Sequence, residues 1–219
     1  MPLFYQHNIN QNTRLAVWHI TEAEAFFTQY VPLQSAVTHP HKRLQHLAGR
    51  YLLYFLFDDF PVGQIEIAGT RKPFLKDEQY HFSISHCGNY AAAIVSKDER
   101  VGIDIEIPTT KVLRVLKKFL SKNELVYFNL YNAAYNNNLA TAEQINQSTF
   151  LWSAKEAIFK WWGSGEVDFS EMMHIEHFEL QHEGACTGWF KKSNTNTKLP
   201  LTYKQFNNLC LVYTTTNKY

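Results

Sequence analysis

The sequence predicts an α+β protein of antiparallel sheets packed with helices. Three observations carry this. A strong helical period occupies residues 39–57, alternating runs follow it, and a second helical region then gives way to a second set of alternating runs. The order helix, strands, helices, strands argues against an alternating parallel fold. A chain of 219 residues accommodates two comparable halves, each a helix packed on a small sheet. No internal repeat is legible.

The elements follow in order. From His39 to Phe57, Leu44, Leu47, Ala48, Tyr51 and Phe55 recur at helical spacing and form a buried stripe. Arg43, His46 and Arg50 make a basic row along its edge, and Asp58-Asp59-Phe60-Pro61 ends the helix. Gln64–Ala68 is a candidate strand; Tyr80–Ser85 and Tyr90–Ser96 form a hairpin around Cys87-Gly88-Asn89. Val101–Ile107 is a strand with its apolar residues on one face and Asp104 and Glu106 on the other. Thr110–Phe119 reads as a short helix carrying Lys111, Arg114, Lys117 and Lys118. Ser121 and Glu124 form a capping box for the next helix. Asn132–Gln147 is Asn-rich and is expected to be a mobile surface loop, with room for a few helical residues at 140–144. Thr149–Trp162 is a helix stopped by Gly163-Ser164-Gly165. Three or four strands complete the chain, the last two turning at Asn207-Asn208.

Composition narrows the function classes. Hydrophobic residues make up 45% and aromatics 15%, which excludes a disordered polymer. A net charge of +1 gives no global field toward nucleic acid or membrane. Cys87, Cys186 and Cys210 lack CxxC spacing and suit reduced thiols. The first residues have no signal-peptide pattern, and the apolar stretch near Tyr51–Phe57 is too short to span a bilayer. A cytoplasmic protein with neither a membrane nor a nucleic-acid partner is the expectation.

Several residues could carry chemistry. Asp104 and Glu106, at i and i+2, send two carboxylates from one strand face, a hard-oxygen pair that suits Mg²⁺ beside a phosphate; a solvated polar face is the plain alternative. Glu156 and Lys160 lie at i and i+4 on the helix side opposite Leu151, Ile158 and Trp162, where an ordinary ion pair would also account for them. His86 ends the strand Phe82-Ser83-Ile84-Ser85 beside its turn. Arg71-Lys72-Pro73 is a cationic turn, and the arginines of the first helix suit phosphate.

Taken together, Thr70-Arg71-Lys72-Pro73, Phe82-Ser83-Ile84-Ser85-His86 and Val101-Gly102-Ile103-Asp104-Ile105-Glu106 resemble the Sfp class of 4′-phosphopantetheinyl transferases. Phe119-Leu120-Ser121-Lys122-Asn123-Glu124 resembles that family's Phe-x-Ser-x-x-Glu element, and Trp152-Ser153-Ala154-Lys155-Glu156 its Trp-x-x-Lys-Glu helix. Arg50, in Leu47-Ala48-Gly49-Arg50, matches an arginine of its N-terminal helix.

The resemblance implies two α+β subdomains in pseudo-two-fold relation, 1–105 and 106–219, with coenzyme A in the cleft between them and a monomer sufficient. It also implies Mg²⁺ on Asp104, Glu106 and Glu156. His86 and Lys160 would contact the phosphates, and Ser85, Lys72 and Pro73 the adenosine portion. Arg50 would meet the 3′-phosphate with Arg43 beside it, and Glu156 would deprotonate the acceptor serine. The partner would be an apo carrier protein of fatty-acid, polyketide or peptide synthesis, an acidic helical bundle docking on Lys111, Arg114, Lys117 and Lys118. Arg71 departs from the pattern, standing where the family commonly has glycine. A metal-dependent nuclease and a non-catalytic module binding coenzyme A or an acidic partner remain as other classes that these residue types could serve.

Overall fold

The computed structural model describes residues 2–33, 37–136, 140–193 and 195–217, and it divides into two units. The first runs to Ile105 and takes back the residues from Thr216 onward. It opens with a hairpin that the sequence reading did not anticipate, β1 (Leu3–Asn8) and β2 (Thr13–His19). A short α1 (Glu24–Thr28) and the long α2 (Pro40–Leu56) follow. Where one strand was expected at 64–68, a 3₁₀ turn (Val62–Gln64) leads into a two-residue β3 (Glu66–Ile67), paired with β4 (Pro73–Phe74). The expected hairpin is present as β5 (His81–Cys87) and β6 (Tyr90–Ser96), followed by β7 (Glu99–Glu106).

The sheet of this unit has the order β1-β2-β6-β5, antiparallel throughout. β6 is central and buried along its whole length, and α2 lays Leu47, Ala48, Tyr51 and Leu52 into a shared core with Trp18, Ala91 and Ala93. The contact is close at Gly49, where a Cβ would stand 2.6 Å from Ile84 Cγ2 of β5. A glycine is therefore needed immediately before Arg50. Serines of β5 hold β7: the Ile103 N–H donates to Ser83 Oγ (3.2 Å) and the Ile105 N–H to Ser85 Oγ (3.3 Å).

The second unit runs Glu106–Thr215. The segment expected as one helix at 110–119 is a 3₁₀ helix (Thr110–Val115) running into α3 (Leu116–Phe119). Ser121 caps α4 (Lys122–Tyr127) with the full reciprocal box to Glu124. The expected loop at 132–147 is corrected. α5 (Tyr131–Tyr135) enters it, and α6 (Ala142–Trp162) begins seven residues ahead of Thr149; residues 137–139 lie outside the described set. A second capping box, Thr141 with Gln144, starts α6. At its other end Gly163 takes φ 74°, the left-handed turn glycine adopts without a Cβ penalty.

After α7 (Phe169–Met172) come β8 (Met173–Ile175), β9 (Glu183–Lys192), β10 (Thr195–Phe206) and β11 (Leu209–Asn217), laddered antiparallel in that order. The turn between β10 and β11 falls at Asn207-Asn208, as expected. α6 packs Phe150, Leu151, Ala154, Ile158 and Trp161 into a core with Phe190, Leu199, Leu201 and Val212. Trp161, not Trp162, is the fully buried tryptophan of this helix, and the buried surface covers more than one stripe. In each unit a helix thus packs on an antiparallel sheet, which is the α+β class the element order predicts. Among the described residues no helix is long and apolar enough to cross a membrane.

Candidate active site

Strand β7 carries Asp104 and Glu106, and each carboxylate is held by its own unit. Asp104 is not part of a solvated face: it is 3% exposed, and Ser85 Oγ donates to its Oδ1 at 2.7 Å. The same serine accepts the Ile105 N–H, so Ser85 both aligns the strand and orients the carboxylate. His86 follows as an exposed residue at the end of β5.

The first unit places basic groups near His86. Gln45 Nε2 donates to the Gly88 carbonyl (2.8 Å), and His41 Nε2 contacts Asn89 Oδ1 (3.0 Å), which pins α2 to the β5–β6 turn. One turn further along α2, Arg50 Nη1 donates to His46 Nδ1 at 3.1 Å. Arg50 is 6% exposed, and burial lowers its pKa. Burial first, then the charges of Arg50 and His86, bring His46 down from 6.5 to about 4, so this imidazole is neutral at pH 7 and able to accept from Arg50. Arg43 does not join this group. It forks onto Glu24 of α1 and donates to the Val37 carbonyl, so its charge is already answered.

Lys72 is partly buried, and burial together with the charge of Arg100 lowers its pKa to about 8. A lysine so placed gains from an anion beside it. Pro73 lies next to it in β4. Arg71 adopts φ 68°, the left-handed conformation that explains a preference for glycine at this turn.

In the second unit, Trp152 Nε1 donates to Glu106 Oε1 at 3.1 Å. Trp152 and Glu156 are one helical turn apart on α6, so the indole ties the helix that carries Glu156 and Lys160 to the carboxylate end of β7. Glu156 and Lys160 are both half-buried. Lys155, the neighbour of Glu156 in sequence, is completely buried, and its Nζ is ringed by Glu124 Oε2 (2.7 Å) and the carbonyls of Phe119 (2.7 Å), Phe169 (3.0 Å) and Met173 (2.8 Å). Burial pushes the ammonium pKa down and Glu124 pulls it back up. Glu124 also accepts from Ser121 and from the Ile175 N–H. Sequence reasoning identified Ser121–Glu124 as a cap but missed this ion pair, whose partners come from four separate segments.

The carboxylate oxygens of Asp104, Glu106 and Glu156 are donors of the hard type that Mg²⁺ takes. A carboxylate has about four lone-pair sites, so a bond from Ser85 or Trp152 is compatible with a cation on the same group. Among the described residues, no group of three or more His, Cys, Asp or Glu stands in an arrangement that could hold a metal.

The Asp104-Ile105-Glu106 strand end is thus tied through the Trp152 indole to the helix that carries Lys155 and Glu156. Residues 100–208 match the family model of the 4′-phosphopantetheinyl transferase superfamily. The match contains Asp104, Glu106, Glu124 and the whole of α6. A curated relative from Haemophilus influenzae, provisionally named a 4′-phosphopantetheinyl transferase, is 29% identical over 143 residues. That alignment covers 63% of this chain and 57% of the relative. Arg43, Arg50, Lys72, Pro73, Ser85 and His86 precede the stretch that matches the superfamily model.

Proposed function

We propose that the protein is a Mg²⁺-dependent 4′-phosphopantetheinyl transferase of the Sfp class, moving the phosphopantetheine arm of coenzyme A to a carrier-protein serine. What supports this is the match of residues 100–208 to the 4′-phosphopantetheinyl transferase superfamily, a stretch within which the Trp152–Glu106 bond ties the helix bearing Glu156 to the strand bearing Asp104 and Glu106. Asp104, Glu106 and Glu156, which form no three-residue metal group by themselves, would supply carboxylate oxygens to Mg²⁺ together with the coenzyme A phosphates, and the cation when bound would supply charge neutralisation at the pyrophosphate. Arg50 would meet the 3′-phosphate, Ser85, Lys72 and Pro73 the adenosine portion, and His86 and Lys160 the pyrophosphate oxygens. Arg43 has the weakest claim, because Glu24 already engages it.

In the reaction the serine Oγ forms a bond to the β-phosphorus, the pyrophosphate P–O bond breaks, and adenosine 3′,5′-bisphosphate leaves with the bridging oxygen. Glu156 takes the serine proton, directly or through a water, for about 10²–10⁴-fold assistance. Placement and charge absorption supply the rest. No covalent enzyme intermediate is required.

The acceptor would dock on the second unit. Lys111, Arg114, Lys117 and Lys118 are all exposed, while Leu113, Leu116 and Phe119 anchor the segment from below. Lys117 Nζ lies 4.4 Å from the ring of Tyr135, which is 62% exposed and packs beside the exposed Tyr131. A cationic rim around exposed rings fits an acidic, amphipathic helical partner.

Asp104→Ala tests the reading against its rivals. The transferase predicts near-complete loss of arm transfer and no cleavage of plasmid by wild type with Mg²⁺. Plasmid nicking by wild type would favour the nuclease, and retained function in Asp104→Ala would favour a non-catalytic module.

A further inference from the structure

Lys155 and Trp152 grip the same two residues by different chemistry. The Trp152 indole packs edge-on to Phe119 (ring centroids 5.1 Å) and stacks on Phe169 (5.8 Å, 24° between planes). The Lys155 ammonium holds the carbonyls of those same residues, Phe119 and Phe169. Three ammonium hydrogens face four acceptors, and Glu124 Oε2 supplies the negative charge. Phe119 ends α3 and Phe169 begins α7, so neither ring belongs to α6 itself. The rings that flank Trp152 are thus set by backbone that Lys155 fixes.

We propose that Lys155 is a positioning residue for Glu106: it holds Phe119 and Phe169 in place, these clamp the Trp152 indole, and Trp152 Nε1 then orients the Glu106 carboxylate. In the Trp-x-x-Lys-Glu segment, the tryptophan and lysine do positional work directed inward, and the glutamate is left for chemistry. This rests on the transferase reading only in assigning Glu106 to the site; the chain of contacts from Lys155 to Glu106 stands on its own. An ion pair kept only for stability would not need its acceptors to be the carbonyls of the two residues whose rings confine Trp152.

The test is the indole N–H resonance of Trp152 in the ¹⁵N-labelled protein, assigned by Trp152→Phe. Glu106→Ala provides the reference shift for the lost bond. Lys155→Met should move the Trp152 resonance toward that reference, with other indole signals unmoved. It should also lower kcat at least tenfold with KM for coenzyme A within about twofold, and lower Tm by roughly 10 °C. A folded Lys155→Met protein with an unmoved Trp152 signal and unchanged kcat would overturn the proposal and leave Lys155 a stability residue. If Lys155→Met does not fold, Phe169→Leu decides. It keeps the carbonyl and removes the ring, so it should move the Trp152 signal toward the Glu106→Ala reference, and a signal that does not approach that reference would overturn the proposal equally. Should wild type transfer nothing, the transferase reading fails while the indole shift still decides the inference.

Discussion

Arg71 is the residue where conformation and side chain disagree most openly. At φ 68° it occupies a region in which an L side chain costs roughly 1 kcal/mol, and the turn is followed at once by Lys72 and Pro73. Arg71→Gly should therefore raise Tm by about 2–4 °C in a thermal melt, the relieved strain outweighing the extra freedom of the unfolded chain. A fall in Tm would mean that the arginine side chain earns its place through contacts. His46 gives a pH prediction with a definite sign. Its folded pKa of about 4 lies below the ordinary 6.5, so between those values the unfolded chain binds a proton that the folded chain refuses. Stability should rise with pH across that window and be lost as pH falls through it. His46→Gln should flatten the acid limb of the Tm–pH curve, and an NMR titration of wild type should find the His46 midpoint near 4. A midpoint near 6.5 would contradict the buried pairing with Arg50.

At the scale of elements, the two long helices differ in what their sequences disclose. α2 reads in part: Leu47, Ala48 and Tyr51 of its apolar period are buried and Leu44 and Phe55 partly so, but Leu52, Leu53, Leu56 and Arg50 itself widen the buried face beyond that stripe. Its one hidden constraint is Gly49, whose hydrogen faces Ile84 Cγ2. Gly49→Ala should cost about 1–3 kcal/mol in a denaturant melt and weaken coenzyme A binding through the shift of Arg50; an unchanged melt would show that β5 yields freely. α6 is less legible. Its first six residues, Ala142–Gln147, include few apolar ones and start from the Thr141–Gln144 capping box, so a search by periodicity starts too late. Lys155 defeats pattern reading for a different reason. A lysine is buried only where acceptors await it, and here they come from residues 119, 124, 169 and 173. The hairpin β1–β2 was missed because β1 is an edge strand exposed along most of its length, while β2 is buried on both faces and so lacks alternation. Asp104, Glu106, Glu156, Ser85 and His86 are singled out in the sequence by their likeness to a family's motifs, since each has an ordinary structural reading by spacing alone, whereas the bonds from Ser85 to Asp104 and from Trp152 to Glu106 are visible only in the structure.

For the molecule as a whole, charge is distributed so that specificity must be local. With a net charge of +1 the protein lacks a general attraction for polyanions, and the exposed cations at 111–118 act over about a Debye length of 8 Å at physiological salt. Replacing Arg114 and Lys117 together by Glu should raise KM for the carrier at least tenfold and leave KM for coenzyme A unchanged; unaltered carrier kinetics would remove this face as the docking surface. The central claim, arm transfer to a carrier serine, is tested most directly by intact-mass measurement on a panel of apo carriers incubated with coenzyme A, Mg²⁺ and the protein. The account predicts a gain of one phosphopantetheine on at least one carrier, with adenosine 3′,5′-bisphosphate released in equal amount. No mass gain on any carrier, under conditions where the protein binds coenzyme A, would contradict it.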